Sequence, residues 1–503
     1  MGRLVCRHGN DSKITGEIRT SLNVDLKRET LPDRYPRTLF SKPRVVIAGT
    51  TSDCGKTTVA TGVMGALVKN GITVQGFKVG PDYLDPSYHS RATGRPSRNL
   101  DTWLMGELGI SETFTKATQD AEIAVIEGVM GLFDGSGSTS DEQSTAEISR
   151  LLKAPTILVV DSHAVGRSVA AQVLGFSSMA RDFEIKGVIL NKIGSERHFL
   201  LCKEAIEHET SVPVIGYLRF NKELELPSRH LGLHTATREL DDKIQLISNS
   251  VAESVDLDSV RSIATLAPPL NLIDTNQSSR EEQLGSATSK NGFLRIGVAL
   301  DESFSFYYED NLDELRRLGA DIRFFSPLHD GKLPNVDALY IGGGYPEINA
   351  ALLEESASMR QHIRKSFEDG MPIYAECGGL MYLGRETTSV DGKRHKMARV
   401  FDLDTQMTRK LTLGYTEMES VSDTPISTHE DRLYGHESHY SVAENVSSDC
   451  KFVFRLIRGK GIAKSMDGCL SQSALGCYGH LHFRRAKKSA KMFIESAMQY
   501  SRK

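Results

Sequence analysis

Long apolar runs are absent from the 503-residue sequence, and so are the paired cysteines of disulfide-rich and zinc-binding proteins. No stretch approaches the roughly 20 apolar residues of a membrane-spanning helix, and the first residues lack the apolar core of a signal peptide. The seven cysteines are scattered, odd in number and without a C-x-x-C pair, which argues against a disulfide framework or a zinc site. We therefore expect a cytoplasmic protein that does not bind a membrane.

An excess of charge of one sign is also lacking. The formal net charge is -4, and basic and acidic residues are spread along the chain. No basic surface for nucleic acid is therefore predicted. The chain is too long for a single hydrophobic core and suggests two domains.

Alternating strand and helix patterns begin at Arg44. Short apolar runs separated by helix-length segments predict right-handed βαβ crossovers and an α/β fold with a doubly wound parallel sheet. The predicted strands are residues 45–48, 73–79, 123–126, 156–160, 187–190 and 212–217. Ligands of such a sheet gather at the carboxyl ends of its strands.

A second α/β pattern follows a segment, residues 274–292, that contains almost no apolar residues. We expect strands at 294–300, 338–341 and 372–375 and a helix near 311–318. The predicted organisation is an N-terminal extension or disordered arm at 1–42, a first α/β domain at 43–250, a linker at 251–292 and a second α/β domain at 293–503.

Residues 44–58, R-V-V-I-A-G-T-T-S-D-C-G-K-T-T, predict a phosphate-binding loop between a strand and a helix. In such a loop backbone N–H groups surround the phosphates, a lysine reaches the terminal phosphates and a hydroxyl holds Mg²⁺. Five residues separate the two glycines, where the common pattern has four. The alternative is a polar turn that binds nothing. The predicted nucleotide-binding residues here are Gly49, Asp53, Gly55, Lys56, Thr57 and Thr58.

Polar side chains also follow three other predicted strands. Lys78 can stabilise a transferring phosphoryl group, and Asp82 and Asp85 after it can orient metal or substrate, unless they form a charged surface turn. Glu127 is a natural Mg²⁺ ligand beside such a loop, with a helix cap as the alternative. Asn191 could pair with adenine or be a plain turn residue.

The second pattern places Cys377 on a tight turn between a strand and a helix. Such a turn exposes the side chain at a helix N-terminus, which is expected to lower the pKa of the thiol. The backbone N–H groups of Gly378 and, from the glycine turn at 341–347, of Gly344 can face an oxyanion. The alternative is a buried apolar thiol.

A nucleophilic cysteine needs a base. Candidates lie in Y-G-H-L-H-F, residues 478–483, where a strand would point His480 and His482 to the same side. A further polar cluster, Y-G-H-E-S-H-Y-S at residues 434–441, could face a substrate.

Taken together, the motifs resemble the cobyrinate a,c-diamide synthase family. The resemblance covers about residues 44–501 and rests on G-T-T-S-D-C-G-K-T-T, K-V-G-P-D-Y-L-D-P, G-R-P-S-R-N-L-D-T-W, E-G-V-M-G-L-F-D-G, A-E-C-G-G-L-M-Y-L and Y-G-H-E-S-H-Y-S. It implies a dethiobiotin-synthetase-like ATP domain followed by a class I glutamine amidotransferase-like domain. It also implies ATP and Mg²⁺ as cofactors and a tetrapyrrole and L-glutamine as substrates, and it leaves a homodimer open.

The resemblance also assigns roles to residues. Cys377 is similar to the glutaminase nucleophile and His480 to its base, whereas Lys56, Thr57 and Glu127 are similar to the nucleotide and Mg²⁺ ligands. Apart from these roles, we expect Lys78 to act in catalysis and Asp82, Tyr83, Asp85 and Asp101 to bind the substrate. Three positions depart from the expected pattern: Cys54 in the loop, Ser438 in place of phenylalanine, and His482 where class I glutaminases have glutamate.

In this family ammonia from glutamine amidates the a and c acetate side chains, whose carboxylates ATP has phosphorylated. Phosphorylation is needed because a carboxylate would have to expel oxide, whereas an acyl phosphate expels phosphate. Close alternatives are a Ni-sirohydrochlorin a,c-diamide synthase of the coenzyme F430 route and an amidase of other side chains, as in cobyric acid synthesis. A partition-type switch ATPase is more distant, because it carries a second lysine early in the loop, where this chain has Thr50, Thr51 and Ser52.

Overall fold

The computed structural model describes residues 37–226, 237–273, 288–289, 292–448 and 450–503. Residues 37–503 contact one another as a single unit, in which one sheet is built from the N-terminal half and another from the C-terminal half. Within the described ranges, no helix combines the length and apolarity needed to cross a membrane. The expectation for residues 1–36 lies outside these ranges.

The N-terminal half alternates strands and helices. Its strands are β1 (Arg37–Phe40), β2 (Arg44–Gly49), β3 (Val74–Val79), β4 (Arg98–Leu100), β5 (Ile123–Glu127), β6 (Thr156–Asp161), β7 (Ile185–Ile193), β8 (Val214–Arg219) and β9 (Leu270–Ile273). Its helices are α1 (Lys56–Lys69), α2 (Leu84–Thr93), α3 (Thr102–Ala117), α4 (Thr145–Leu151), α5 (Val169–Met179), α6 (Glu196–Thr210), α7 (Thr237–Ser254) and α8 (Leu257–Thr265).

Strands β2 to β8 form a seven-stranded parallel sheet in the order β4-β3-β5-β2-β6-β7-β8. Val46 and Ala48 of β2 face one hydrophobic cluster, and Val45 and Ile47 face another on the opposite side. Burial on both faces explains why the strands are continuous apolar runs. The predicted doubly wound parallel sheet is confirmed.

The predicted linker at 251–292 begins too early. Residues 251–254 complete α7, and α8 packs against β2 and β5. The buried Arg44 guanidinium donates to the Pro268 carbonyl, and β1 pairs with β9. Residues 37–42 and the described residues up to 273 therefore belong to the N-terminal half. This boundary was hard to predict from the sequence because α8 buries only a short apolar stripe, formed by Val260, Ile263 and Ala264.

The C-terminal half is richer in strands. These are β10 (Thr288–Ser289), β11 (Gly292–Ala299), β12 (Ala320–Phe325), β13 (Ala338–Ile341), β14 (Ile373–Glu376), β15 (Glu386–Thr388), β16 (Arg394–Lys396), β17 (Asp404–Ser420), β18 (Arg432–Glu444), β19 (Lys451–Arg458), β20 (Met466–Ser471), β21 (Ala474–Cys477) and β22 (His480–Leu481). The helices are α9 (Glu309–Arg317), α10 (Ala350–Glu355), α11 (Ala357–Glu368), α12 (Gly378–Leu383) and α13 (Lys487–Ser501).

The sheet of this half is mixed. Strands β12, β11, β13, β14 and β21 run parallel. Of these, β11, β13 and β14 were predicted from the sequence, whereas β12 and β21 were not. Antiparallel pairing then adds β20, β19, β17 and β18. The long β17–β18 pair, which carries residues 434–441, was not predicted.

One disulfide corrects the expectation from the cysteine count. Cys450 and Cys469 are bonded, with their Cα atoms 5.6 Å apart. The two residues are 19 positions apart in sequence, and the antiparallel pairing of β19 with β20 sets Phe452 opposite Cys469. Spacing along the chain gave no sign of this contact. The described cysteines Cys54, Cys202, Cys377 and Cys477 are free and buried.

Candidate active site

The predicted phosphate-binding loop joins β2 to α1. A Cβ on Gly49 would overlap Cys54 Sγ and the Lys56 side chain, so glycine is required there for the loop to close. Cys54 is fully buried by this packing, and Gly55 has a left-handed φ of 94°. Lys56 Nζ donates to the Thr51 carbonyl at 2.8 Å, and burial lowers its pKa. The loop is compact, and its lysine lines the adjacent cavity.

A buried charged network lies beneath the loop around Glu127. Thr57 Oγ1 and Lys78 Nζ donate to Glu127 Oε1 at 2.7 and 2.8 Å, and Lys78 also pairs with Asp85 at 2.6 Å. Burial alone would raise the pKa of Glu127, but Lys78 and His89 lower it well below its usual range. Burial and the Glu127 charge raise the pKa of Asp85 to about 8 against the attraction of Lys78. The structure thus brings four of the predicted residues together.

His89 of α2 belongs to this network and was missed. Its Nε2 lies 2.6 Å from Glu127 Oε2, and its Nδ1 lies 3.3 Å from Ser97 Oγ. The side chain is fully buried. A single histidine in an otherwise ordinary helix gives no signal in the sequence. In the folded chain His89 contacts Oε2 of Glu127, whereas Thr57 and Lys78 donate to Oε1.

Thr57 and Glu127 fit a magnesium ion. Their oxygens are in contact beside the loop, and Mg²⁺ favours one or two protein oxygens together with water and phosphate oxygens. Among the described residues, no three His, Cys, Asp or Glu side chains cluster as a protein-only metal site. The donor set therefore suits a nucleotide-bound ion.

A cavity of about 770 Å³ opens beside the loop. Asn191 lines it and donates from Nδ2 to the Cys54 carbonyl at 2.9 Å, which braces the loop. Its contact with adenine stays a prediction. Of the predicted residues, the cavity is lined by Asp53, Gly55, Lys56, Thr57, Thr58, Lys78, Asp82, Asp85 and Asn191.

Cys377 occupies the turn between β14 and α12. Its φ of 48° and ψ of -99° lie where residues other than glycine are rarely found, as at the nucleophile elbow of hydrolases. The predicted lowering of its pKa by the helix N-terminus is wrong. Burial raises the pKa of the thiol, the charge of Glu347 adds to this, and the N–H of Gly378 does not compensate. A nucleophilic role for this thiol would therefore require a base that accepts its proton.

The two glycine turns meet beside Cys377. A Cβ on Gly378 would lie 3.0 Å from the Gly344 nitrogen, so the two backbones are in close contact. Gly344 has a φ of 154°. A Cβ on Gly343 would lie 3.3 Å from His480 Nε2. The glycine turn that contains Gly343 and Gly344 therefore lies next to both His480 and Gly378. The role of Gly344 and Gly378 as oxyanion donors stays a prediction.

His480 is buried, and neither ring nitrogen has a hydrogen-bond partner among the described residues. Cys377 Sγ instead donates to the Ser438 carbonyl at 3.7 Å. The carboxylate behind His480 is Glu376, whose Oε2 lies 3.5 Å from Nδ1. His482 does not take that place, because it packs on Tyr308 with ring centroids 4.7 Å apart.

Glu376 was missed by sequence reasoning. It directly precedes Cys377 in A-E-C-G-G, and neighbouring residues of a strand point to opposite faces. It is buried and accepts hydrogen bonds from the Tyr340 and Tyr374 hydroxyls at 2.9 and 2.7 Å. An ionisable residue at a position expected to be apolar was the available signal.

A cavity of about 280 Å³ lies between the two halves. It shares Asp82, Leu84, Val129 and Met130 with the nucleotide cavity. A pocket of about 40 Å³ contains Cys377 and Gly344. That pocket and the cavity between the halves share Phe306, Tyr345 and Ser438. The nucleotide loop and the thiol thus line spaces that adjoin one another.

Tyr83 reaches from the N-terminal half into this region. Its ring stacks on Phe306 with centroids 4.9 Å apart and lies 5.4 Å from the His480 ring. Asp101, the other predicted substrate ligand, does not line these cavities. It caps α3 by accepting from the Leu104 N–H and also accepts from the Tyr415 hydroxyl, and burial raises its pKa to about 6. Asp101 directly precedes α3, and this position explains why its carboxylate caps the helix.

The two halves match two domain families. A CobQ/CobB/MinD/ParA nucleotide binding domain matches residues 45–233, and a CobB/CobQ-like glutamine amidotransferase domain matches residues 295–488. The chain is 42% identical over 460 residues to the cobyrinate a,c-diamide synthase of Archaeoglobus fulgidus, which covers 91% of this chain and 98% of that protein. The proteins of the same name from Methanothermobacter thermautotrophicus and Listeria innocua are each 43% identical, covering 91% and 88% of this chain and 100% and 96% of their own lengths. The chain therefore belongs to the cobyrinate a,c-diamide synthase family of glutamine-hydrolysing carbon–nitrogen ligases.

Proposed function

We propose that this protein uses ATP and glutamine to convert the a and c acetate carboxylates of a cobyrinate-type tetrapyrrole into amides through an acyl phosphate. The observation that carries the proposal is the shared lining of the three spaces between Lys56 and Cys377. Ammonia made at the thiol can reach an acid bound beside the nucleotide. The names of the relatives supply the identity of that acid.

The first reaction is the hydrolysis of glutamine. Cys377 Sγ attacks the carboxamide carbon while His480 accepts the thiol proton and passes it to the departing ammonia. The N–H groups of Gly344 and Gly378 stabilise the oxyanion. Water then cleaves the thioester, which releases glutamate and restores the thiol.

The second reaction activates the acceptor. One carboxylate oxygen attacks the γ-phosphorus of ATP, and ADP leaves. Lys56 and Lys78 stabilise the charge of the transferring group. Thr57 and Glu127 would hold Mg²⁺, which neutralises phosphate charge when bound. Ammonia then attacks the acyl carbon, phosphate departs with the former carboxylate oxygen, and loss of a proton leaves the amide.

A time course tests this function. With one nucleotide loop and one reactive cysteine, the two carboxylates must react in turn, so we expect a monoamide to accumulate and then decline as the diamide forms. About one ATP and one glutamine should be consumed per amide. Mass spectrometry of quenched samples provides the measurement, with cobyrinate and Ni-sirohydrochlorin compared as acceptors. A product with four or more amides would contradict the assignment of substrate positions, and ATP hydrolysis without any amide would contradict the function.

Glu376→Gln tests the carboxylate behind His480. The substitution keeps the shape of the side chain but removes the charge that would stabilise a protonated imidazole, so we expect glutaminase kcat to fall about 10-fold or more with little change in KM for glutamine. Amidation with free ammonia, which does not use the thiol, is the internal control. Equal losses with both nitrogen sources would show that Glu376 only supports the fold.

A further inference from the structure

Arg458 is a cation of the C-terminal half that has no acidic partner among the residues described by the structure. It ends β19 and is the only lysine or arginine among the described residues that line the cavity between the halves. Glu417 lies opposite Arg458 in the β17–β19 ladder but pairs with Arg432 at 3.0 Å. No other described carboxylate lies within ion-pair distance of Arg458. Its charge is therefore available to a ligand in the cavity.

Two aromatic rings hold the Arg458 side chain in place. The guanidinium carbon lies 4.9 Å from the Trp103 ring centroid and 5.6 Å from that of Tyr415. Both rings are fixed, since Trp103 Nε1 donates to the Thr416 carbonyl at 3.2 Å and the Tyr415 hydroxyl donates to Asp101 at 2.6 Å. A guanidinium packed on aromatic faces keeps its N–H edges free, and those edges match the two oxygens of a carboxylate.

The other walls of the cavity suit a ligand with a flat apolar surface. Tyr83, Phe306 and Tyr345 present aromatic rings, while Val129 and Met130 are apolar. Asp82 lies on the side that adjoins the nucleotide cavity. A ligand with several carboxylates that placed one of them near the nucleotide could pair another with Arg458.

We propose that Arg458 binds a carboxylate of the acceptor other than the one being phosphorylated. This inference rests on the proposed function, in which two carboxylates of one acceptor react in turn. While the first is activated, at least one more is still charged and can pair with the guanidinium. The acceptor site is then built from both halves of the chain, with the reacting group on the nucleotide side and the anchoring group on the amidotransferase side.

The test compares Arg458→Met with a matched control, Arg455→Met. Arg455 lies on the same strand and pairs with Glu419, but does not line the cavity. Trp103 is the only tryptophan of the chain, so quenching of its fluorescence by the acceptor, without ATP, gives the affinity for the acceptor, and the comparison of the two variants assigns it to Arg458. In Arg458→Met we expect the affinity for the acceptor to fall about 10-fold and the KM for the acceptor to rise by the same factor. This is the loss expected for one charge-assisted hydrogen bond. KM for ATP and for glutamine should stay unchanged.

Three results would overturn the inference. These are wild-type acceptor affinity in Arg458→Met, an equal loss in Arg455→Met, and a parallel loss of glutaminase activity, which would mean that Arg458 only holds the two halves together. Arg458→Lys keeps the charge but not the planar fork, so we expect an intermediate affinity. Failure of the proposed function is distinguishable, because the wild-type protein would then amidate no acceptor at all.

Discussion

Replacing Cys377 with alanine will abolish glutamine-dependent amidation and leave amidation with free ammonia near the wild-type rate. In the proposed mechanism only the glutaminase reaction uses the thiol, and removal of a covalent nucleophile typically lowers the rate by about 10³-fold or more. The measurement is product formation by mass spectrometry with glutamine or an ammonium salt as nitrogen source.

Cys202→Ala is the matched control for this substitution. Cys202 is also a free, buried cysteine, but it lies on α6 of the N-terminal half. The Cys202→Ala variant should retain amidation with glutamine and amidation with free ammonia. Loss of both activities in Cys377→Ala would instead assign the cysteine a structural role, and retained glutamine-dependent amidation would exclude it as the nucleophile.

Replacing Lys56 with alanine will remove amidation with either nitrogen source while glutamine hydrolysis continues. In the proposed mechanism Lys56 stabilises the charge of the transferring phosphoryl group, and alanine cannot do so. A loss of about 3 to 5 kcal/mol in transition-state binding corresponds to roughly 100- to 5,000-fold in rate. Steady-state rates with saturating ammonia measure this effect without the glutaminase.

Lys69→Ala is the control for Lys56. Lys69 is exposed in the last turn of the same helix, where it donates to Asn249, so its substitution should leave amidation intact. Near-wild-type turnover of Lys56→Ala with ammonia would remove the loop from the mechanism.

The sequence was sufficient where chemistry follows directly from local pattern. A continuous apolar strand ends in a glycine loop with Lys56 and Thr57, and parallel strands bring their carboxyl ends to one edge. For that reason Lys78 and Glu127, which are 49 residues apart in sequence, could be expected to lie together. The parallel pairing of β3 with β5 sets Lys78 opposite Glu127. The parallel sheet of the N-terminal half was predicted from the same alternation of strands and helices.

Contacts between the halves could not be predicted from the sequence. Tyr83 stacks on Phe306, and Arg458 packs on Trp103, across hundreds of residues of chain. Asp101 resembled a substrate ligand because it lies in a motif, but its carboxylate is used by the α3 cap and Tyr415. No single-sequence periodicity encodes which distant side chain completes such a contact.

The burial and the charged neighbours of the site residues also could not be predicted from the sequence. The turn at Cys377 correctly suggested a helix N-terminus, but the burial that raises its pKa depends on residues from several strands. Glu376 and His89 are isolated polar residues in sequence and become partners of His480 and Glu127 only in the folded chain. Burial and charge partners are properties of packing, so motif spacing left them undetermined.

In the proposed mechanism ATP activates the acceptor carboxylate before ammonia attacks it, and the transfer of oxygen from the carboxylate to phosphate tests this order of steps. The acceptor is labelled with ¹⁸O in its carboxylates and incubated with ATP and glutamine, and the phosphate released is analysed by mass spectrometry. Because the bridging oxygen of an acyl phosphate comes from the carboxylate, the account predicts one ¹⁸O atom in phosphate for each amide formed. Amide formation accompanied by phosphate without ¹⁸O would contradict it.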